Sequence, residues 1–236
     1  MKFDYVIAGG GSAGCALAAR LAENSNISVC LIEAGGKGRE LFIKMPAGNG
    51  FVFGNPKLDW GYSTVPQKSL DNRSIYLARG KALGGSSIVN GMMYMRGVPA
   101  DYDQWRQSGL SGWSYADLLP YFKRAEGAKH RDGPYHGTNG PLKIEESVNF
   151  GVIDKAFIKA AIAAGHTQLN DFNAYDRTGV GRSDSTVSRG VRQSSAIAYL
   201  KKGFKNLKVL THRHISKIVF DHKRAIGVET TNGEFI

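Results

Sequence analysis

With 236 residues, of which 42 % are hydrophobic and 22 % charged, the chain is long enough to bury one large core or two small ones, and this composition excludes disordered and fibrous classes. A formal charge of +11 would suit a polyanionic partner. The basic residues are scattered, however, densest from Lys201 to Arg224, and no nucleic-acid module accompanies them, so they read as a solvated face and no nucleic acid is expected.

Met1-Lys2-Phe3-Asp4 runs directly into a strand pattern with no leader ahead of it, and no apolar run reaches the length of a membrane span, so a cytoplasmic protein is expected. The strand is Tyr5-Val6-Ile7-Ala8, an apolar run that meets Gly9-Gly10-Gly11 as a buried parallel strand meets a tight turn. Ala16 to Ala22 predicts a small-faced helix able to lie close to a sheet, and Ser28 to Ile32 predicts a second strand, stopped by Glu33-Ala34-Gly35-Gly36. Cys15 in the helix and Cys30 in the strand suit small buried hydrophobes rather than a disulfide framework.

From Lys37 to Arg79 the density of Gly, Pro and Asn predicts mainly loop, with extended pieces at Trp60 to Val65 and Ser74 to Leu77. Asp101 to Gln107 reads as a short helix. Ser114 with Asp117 three residues on forms a capping pattern for another, which Pro120 should kink. Ile153, Ala156, Phe157, Ala160, Ala161 and Ala164 recur at helical spacing, with Gly165 where a left-handed terminal residue is needed. Ser195 to Lys201 suggests a further helix. Strands follow at Leu207 to Thr211, Ile218 to Phe220 and Ala225 to Glu229, with Asn232-Gly233 as a hairpin signal.

Gly9, Gly11 and Gly14 fit a GxGxxG pattern at the first strand-to-helix junction. The first permits the turn, the second lets backbone approach a pyrophosphate, and the third lets helix pack on strand, while the helix N-terminus offers amide donors to the anion. Glu33, 19 positions after Gly14, ends the second strand where a carboxylate can accept from ribose hydroxyls and would repel a ribose phosphate. A dinucleotide site is therefore expected, with FAD and NAD both open and NADP disfavoured.

Gly84-Gly85-Ser86-Ser87 provides a backbone able to come close to a flat or anionic ligand, and Asn90-Gly91-Met92-Met93 adds an amide and a polarizable apolar surface. A glycine-rich turn leading into a core helix would read the same way. No metal site is expected: His212 and His214 have no third partner, and His130, His136, His166 and His222 have no paired base within sequence reach.

Across its length the chain resembles the glucose-methanol-choline (GMC) oxidoreductase family. The resemblance is carried by Gly80-Lys81, Leu83, Gly84-Gly85, Ser86-Ser87, Val89-Asn90, Tyr94, Gly97 and Asp103, in order. Further matches are Glu33-Ala34-Gly35-Gly36, Asp59-Trp60-Gly61-Tyr62, Gly112-Trp113-Ser114-Tyr115 and Tyr135-His136-Gly137. It implies an α/β fold: a Rossmann-like FAD-binding domain, of the type shared with p-hydroxybenzoate hydroxylase (PHBH), with part of a substrate-binding α+β domain. The divisions expected are residues 1–150 for the FAD-binding unit and flavin-contacting loops, 151–195 for part of the substrate region, and 196–236 for a return to the FAD-binding domain.

The resemblance further implies FAD and oxidation of a small-molecule alcohol by hydride transfer to the flavin. Gly9, Gly11, Ser12, Ala13, Gly14 and Glu33 would hold the ADP part. Ala82, Gly84, Gly85, Ser86, Asn90, Gly91, Met92 and Met93 would lie along the flavin, and Ile215 would meet adenine through its backbone. Where some members carry a flavin-tethering histidine this chain has Val89, so non-covalent FAD is expected. The family's catalytic histidine lies downstream of Ile236, so no catalytic residue is assigned here and a complementary C-terminal chain is expected as partner. Lyase chemistry on the same scaffold, or non-catalytic flavin binding, are the alternatives.

Overall fold

The apolar runs at the N-terminus pair as parallel strands. In the computed structural model, which describes residues 2–147 and 150–236, Tyr5–Ala8 (β1), Ser12–Leu21 (α1) and Val29–Ile32 (β2) form the expected βαβ unit, and Leu207–Leu210 (β3) joins β2 on its other edge. Both pairings are parallel, with Val29 opposite Tyr5 on one side and Leu207 on the other. The run VCLI of β2 is buried along its whole length, as a central parallel strand covered on both faces must be. One face packs Leu31 and Val29 with Ile7, Cys15, Ala18 and Ala22, and the other packs Cys30 and Ile32 with Val228 and Ile236. The two cysteines are free and buried, and burial pushes the Cys15 thiol up to about 11.

Two compact units emerge, Met1–Gly91 with Gly190–Ile236, and Met92–Arg189. The sequence reading set its divisions at 150 and 195 instead. In the first unit, α1 starts at Ser12 rather than Ala16, because the glycine turn leads directly into it with Gly11 as N-cap. The stretch read as loop after Lys37 contains helical turns at Leu41–Lys44 and Asn49–Val52. Ile43 and Val52 on these turns form a core with Leu58, Ala82, Ile88 and Val89, a long-range burial that local composition does not reveal. The helix expected at Ser195 is a five-residue π-helical segment, Ala196–Leu200. Ile215–Asp221 (β4) and Arg224–Thr230 (β5) form an antiparallel hairpin that turns at His222, with φ +52°. Asn232-Gly233 makes the next turn, Gly233 at φ +82°, and brings Ile236 back to exchange backbone hydrogen bonds with Val228 at 2.9 and 3.0 Å.

The second unit carries Pro99–Gln107 (α2), Tyr115–Ala125 (α3) and Val152–Ala163 (α4). The cap of α3 forms as expected: Ser114 Oγ accepts from the Asp117 amide at 3.2 Å and Asp117 Oδ2 accepts from the Ser114 amide at 3.0 Å. The helix continues through Pro120. Gly165 follows α4 at φ +95°, with the His166 amide bonded to Ala161 O, the left-handed ending that the sequence required. The spacing of α4 is therefore correct, but its apolar stripe is not buried in the unit: Ile153 is 84 % exposed and Phe157 67 %.

A polar core replaces an apolar one at the centre of this unit. Glu126 is fully buried, receives Arg96 Nη2 at 2.7 Å and the Gly137 amide at 2.6 Å, and faces His136 Nδ1 at 3.0 Å. His136 Nε2 meets Asp171 at 2.7 Å. Bonded at both nitrogens by carboxylates, Asp171 first and Glu126 second, the imidazole is held charged, its pKa raised to about 9.

Candidate functional site

The first unit contains a cleft of about 680 Å³ at the C-terminal ends of β1 and β2. It is lined by Gly9, Gly11 and Ser12 from the first turn, Glu33 after β2, Gly85 and Ser86 from the second glycine segment, and Ile215 at the start of β4. Four segments separated in sequence thus meet at the end of a parallel sheet, the place where open α/β folds hold ligands.

Gly9 has φ +102°, which the tight turn needs. At Gly14 an added Cβ would stand 2.0 Å from Gly9 O, so helix and strand touch there backbone to backbone. Gly84 and Gly85 have φ +102° and +51°, the Gly84 amide donates to Gly10 O at 2.8 Å, and a Cβ on Gly85 would stand 2.6 Å from Gly11 Cα. This second pair of glycines is therefore required first by its approach to the first turn. Gly11 itself has only Gly85 Cα near its missing Cβ, at 3.9 Å, and keeps its open side toward the cleft.

Glu33 is buried and bridges the loop ends: Oε2 accepts from the Gly10 amide at 2.9 Å and Oε1 from the Gly35 amide at 2.8 Å. A carboxylate offers about four lone-pair directions, so two remain for hydroxyls in the cleft. At the N-terminus of α1 the first-turn amides, including those of Ser12 and Ala13, have no acceptor within the helix. Arg79, Arg213 and His214 line the same cleft as Glu33, and the Arg213 guanidinium is paired with Glu234 at 2.5 Å. These features fit a nucleotide diphosphate with ribose: open glycine backbone and helix amides for phosphate, a buried carboxylate for hydroxyls.

Of the other expected residues, Ala82 is fully buried in the core beside Val89, and Gly14 and Gly84 build the walls without lining them. Asn90 and Gly91 end the first unit, with Asn90 O and Oδ1 accepting from Arg192. Met92, at φ +62°, and Met93 belong to the second unit. Among the described residues no cluster suits a metal ion, and no helix is long and apolar enough to cross a membrane.

Sequence reasoning about the site passed over Trp60, Tyr62, Arg79, Arg213 and His214. Their signal lay in the Asp59-Trp60-Gly61-Tyr62 motif and in adjacency to Gly80 and Ile215. Asp59 organises that motif by accepting from the amides of Gly54, Gly61 and Arg79, at 3.0, 3.1 and 3.0 Å, and from Tyr76 Oη. Burial opposes its ionisation, but these bonds, led by that of Tyr76, outweigh it and lower its pKa to about 2. Trp60 stacks on Tyr62 at 5.7 Å and meets the edge of His214 at 5.2 Å, forming an aromatic wall.

The sequence matches the GMC oxidoreductase family over residues 3–235. It is 40 % identical over 235 residues to an oxygen-dependent choline dehydrogenase of Photobacterium profundum, covering 98 % of this chain and 41 % of that protein. Among solved structures, pyridoxine 4-oxidase from Mesorbium loti superposes with a TM-score of 0.93 at 35 % identity, over 98 % of this chain and 47 % of that one. An FAD-dependent oxidoreductase from Chaetomium thermophilum follows with 0.88 at 30 %, over 97 % and 42 %. The chain spans about two fifths of the length of the curated relatives it matches.

Proposed function

We propose that this chain, which belongs to the GMC oxidoreductase family, is the FAD-binding N-terminal portion of a flavin-dependent oxidoreductase acting on the CH–OH group of a small alcohol. The observation that carries this reading is the single cleft into which Gly9, Gly11, Ser12, Glu33, Gly85, Ser86 and Ile215 converge. The Gly9 to Gly14 turn and the N-terminus of α1 would bind the pyrophosphate, with Arg79 as counter-charge. Glu33 would orient the ribose, and the backbone at Ile215 would meet adenine. When bound, FAD supplies the hydride acceptor.

Hydride leaves an alcohol carbon readily only as its hydroxyl proton is removed, and that base is assigned to a C-terminal portion. The share of the relatives' length that this chain spans supports such a division. Val89 is buried among Ile43, Val52, Leu58 and Ile88 and carries no nucleophile, so FAD is bound without a covalent tether at this position.

Acid precipitation of the FAD-loaded protein tests the last point: flavin should remain in the supernatant, and flavin retained by the denatured chain contradicts it. Anaerobic mixing of the full-length protein with alcohols, choline first, tests the chemistry. Bleaching of the flavin spectrum is expected, and an unchanged spectrum across the series refutes alcohol oxidation.

A further inference from the structure

Arg192 is 0 % exposed and, among the described residues, no carboxylate pairs with it. The buried Arg96 of the second unit, by contrast, meets Glu126. The five acceptors around Arg192 are all neutral. Nε donates to Ile43 O at 3.1 Å, and Nη1 to Asn90 O at 2.7 Å, Asn90 Oδ1 at 2.9 Å and, at the limit of reach, Ser87 O at 3.5 Å. Nη2 donates to Asn49 Oδ1. Burying an ion without a counter-charge costs several kcal/mol, and a guanidinium cannot escape by deprotonating. A fold that needed only a tie between the Asn49 turn and the Ser86 to Asn90 segment could have used a neutral side chain.

Two consequences follow from arginine in particular. It has only donors, so it fixes the amide of Asn90 with Oδ1 toward itself and leaves Nδ2 as the end that meets other partners. Its charge also stays in a low-dielectric region, where hydrogen-bonded carbonyls soften the field without cancelling it. We propose that Arg192 is a positioning residue of the flavin site, holding Asn90 in its donor orientation and placing an uncompensated positive charge behind the flavin-lining segment that favours the reduced cofactor.

The inference rests on the reading of this chain as an FAD-binding protein whose flavin lies along the Ser86 to Asn90 segment. In the reaction two electrons and a proton pass from the alcohol carbon to the flavin, and the hydroxyl proton goes to a base outside this chain. The flavin becomes more electron-rich, so a nearby cation and a correctly turned amide donor both favour that state.

The test uses the full-length protein loaded with FAD and equilibrated with a reference redox dye. Arg192→Met removes the charge. Asn49→Asp keeps the side-chain shape, gives up the long Asn49 Nδ2 bond to Asn90 O at 3.4 Å, and places a carboxylate against Nη2, cancelling the charge where it stands. Both are expected to lower the ratio of reduced to oxidised flavin about tenfold or more, the scale of one hydrogen bond to a charged group, or about 30 mV for a two-electron couple. Arg192→Lys should recover part of the difference.

Asn49→Asp is also expected to raise the urea midpoint, because it pairs a buried charge. If Arg192→Met does not fold, Asn49→Asp decides alone. A folded, FAD-loaded Asn49→Asp protein with an unchanged ratio overturns the proposal, as does loss of its fold. A wild-type protein that takes up no FAD refutes the functional reading itself, and the inference with it.

Discussion

Substituting Gly85 by alanine probes the contact that joins the two glycine segments. Gly85 sits at φ +51°, where an L side chain costs about 1–2 kcal/mol. Its Cβ would also stand 2.6 Å from Gly11 Cα, against a normal carbon separation of about 3.5–4.0 Å, so one backbone must move by roughly 1 Å. Overpacking of that kind adds about 1–3 kcal/mol. Together these give a loss of about 2–5 kcal/mol, a large part of the ~5–15 kcal/mol that holds a typical domain. With a urea slope of about 1–3 kcal/mol per molar, the midpoint should fall by ~1 M or more. FAD affinity should fall too, since the residue that must yield is the glycine facing the cleft. Gly50→Ala is the control: its Cβ meets nothing within 4 Å and it lies in the Asn49–Val52 turn, so its stability should be unchanged or slightly higher. A Gly85→Ala protein with the wild-type midpoint and FAD affinity would refute the claim that backbone contact between the segments shapes the site.

Glu33→Gln places an amide NH₂ against one of two backbone donors, Gly10 or Gly35, and should cost about 1–3 kcal/mol in urea unfolding together with weaker FAD binding. Asp59, whose pKa is lowered to about 2, contributes stability that is present above the ordinary carboxylate range near pH 4 and is lost as pH falls toward 2. Asp59→Asn should therefore be less stable at neutral pH and show a flatter midpoint between about pH 4 and 2. His136, raised to about 9, contributes stability that is complete below about pH 6.5 and is lost as pH rises through 9. His136→Gln should be less stable at pH 6 and lose less than wild type between pH 7 and 10, a difference read from urea midpoints across that range.

What could be read from the sequence was what neighbouring residues decide. The Ser114 cap and the Gly165 ending each rest on residues within about one turn of one another and stand as expected, and the β1-turn-α1-β2 unit rests on contiguous local patterns, with only the start of α1 displaced. The second glycine pair illustrates the limit: its local composition suggested a ligand, but its closest neighbour is the backbone of Gly11, more than seventy positions earlier. Arg192 gave no sign at all, because its acceptors at Ile43, Asn49 and Asn90 are joined to it only by folding. The stripe of α4 was legible as a helix, but periodicity does not say what covers it. The β4–β5 turn was missed because His222 takes a positive φ that sequence rules reserve for glycine or asparagine.

Titration of the apo protein with FAD, followed by flavin fluorescence, addresses the proposed role of the cleft most directly. Saturable binding of one FAD per chain, competed by ADP and weakened by Glu33→Gln, is the expected result. An absence of saturable binding, or binding that ADP does not displace and Glu33→Gln does not weaken, would contradict it.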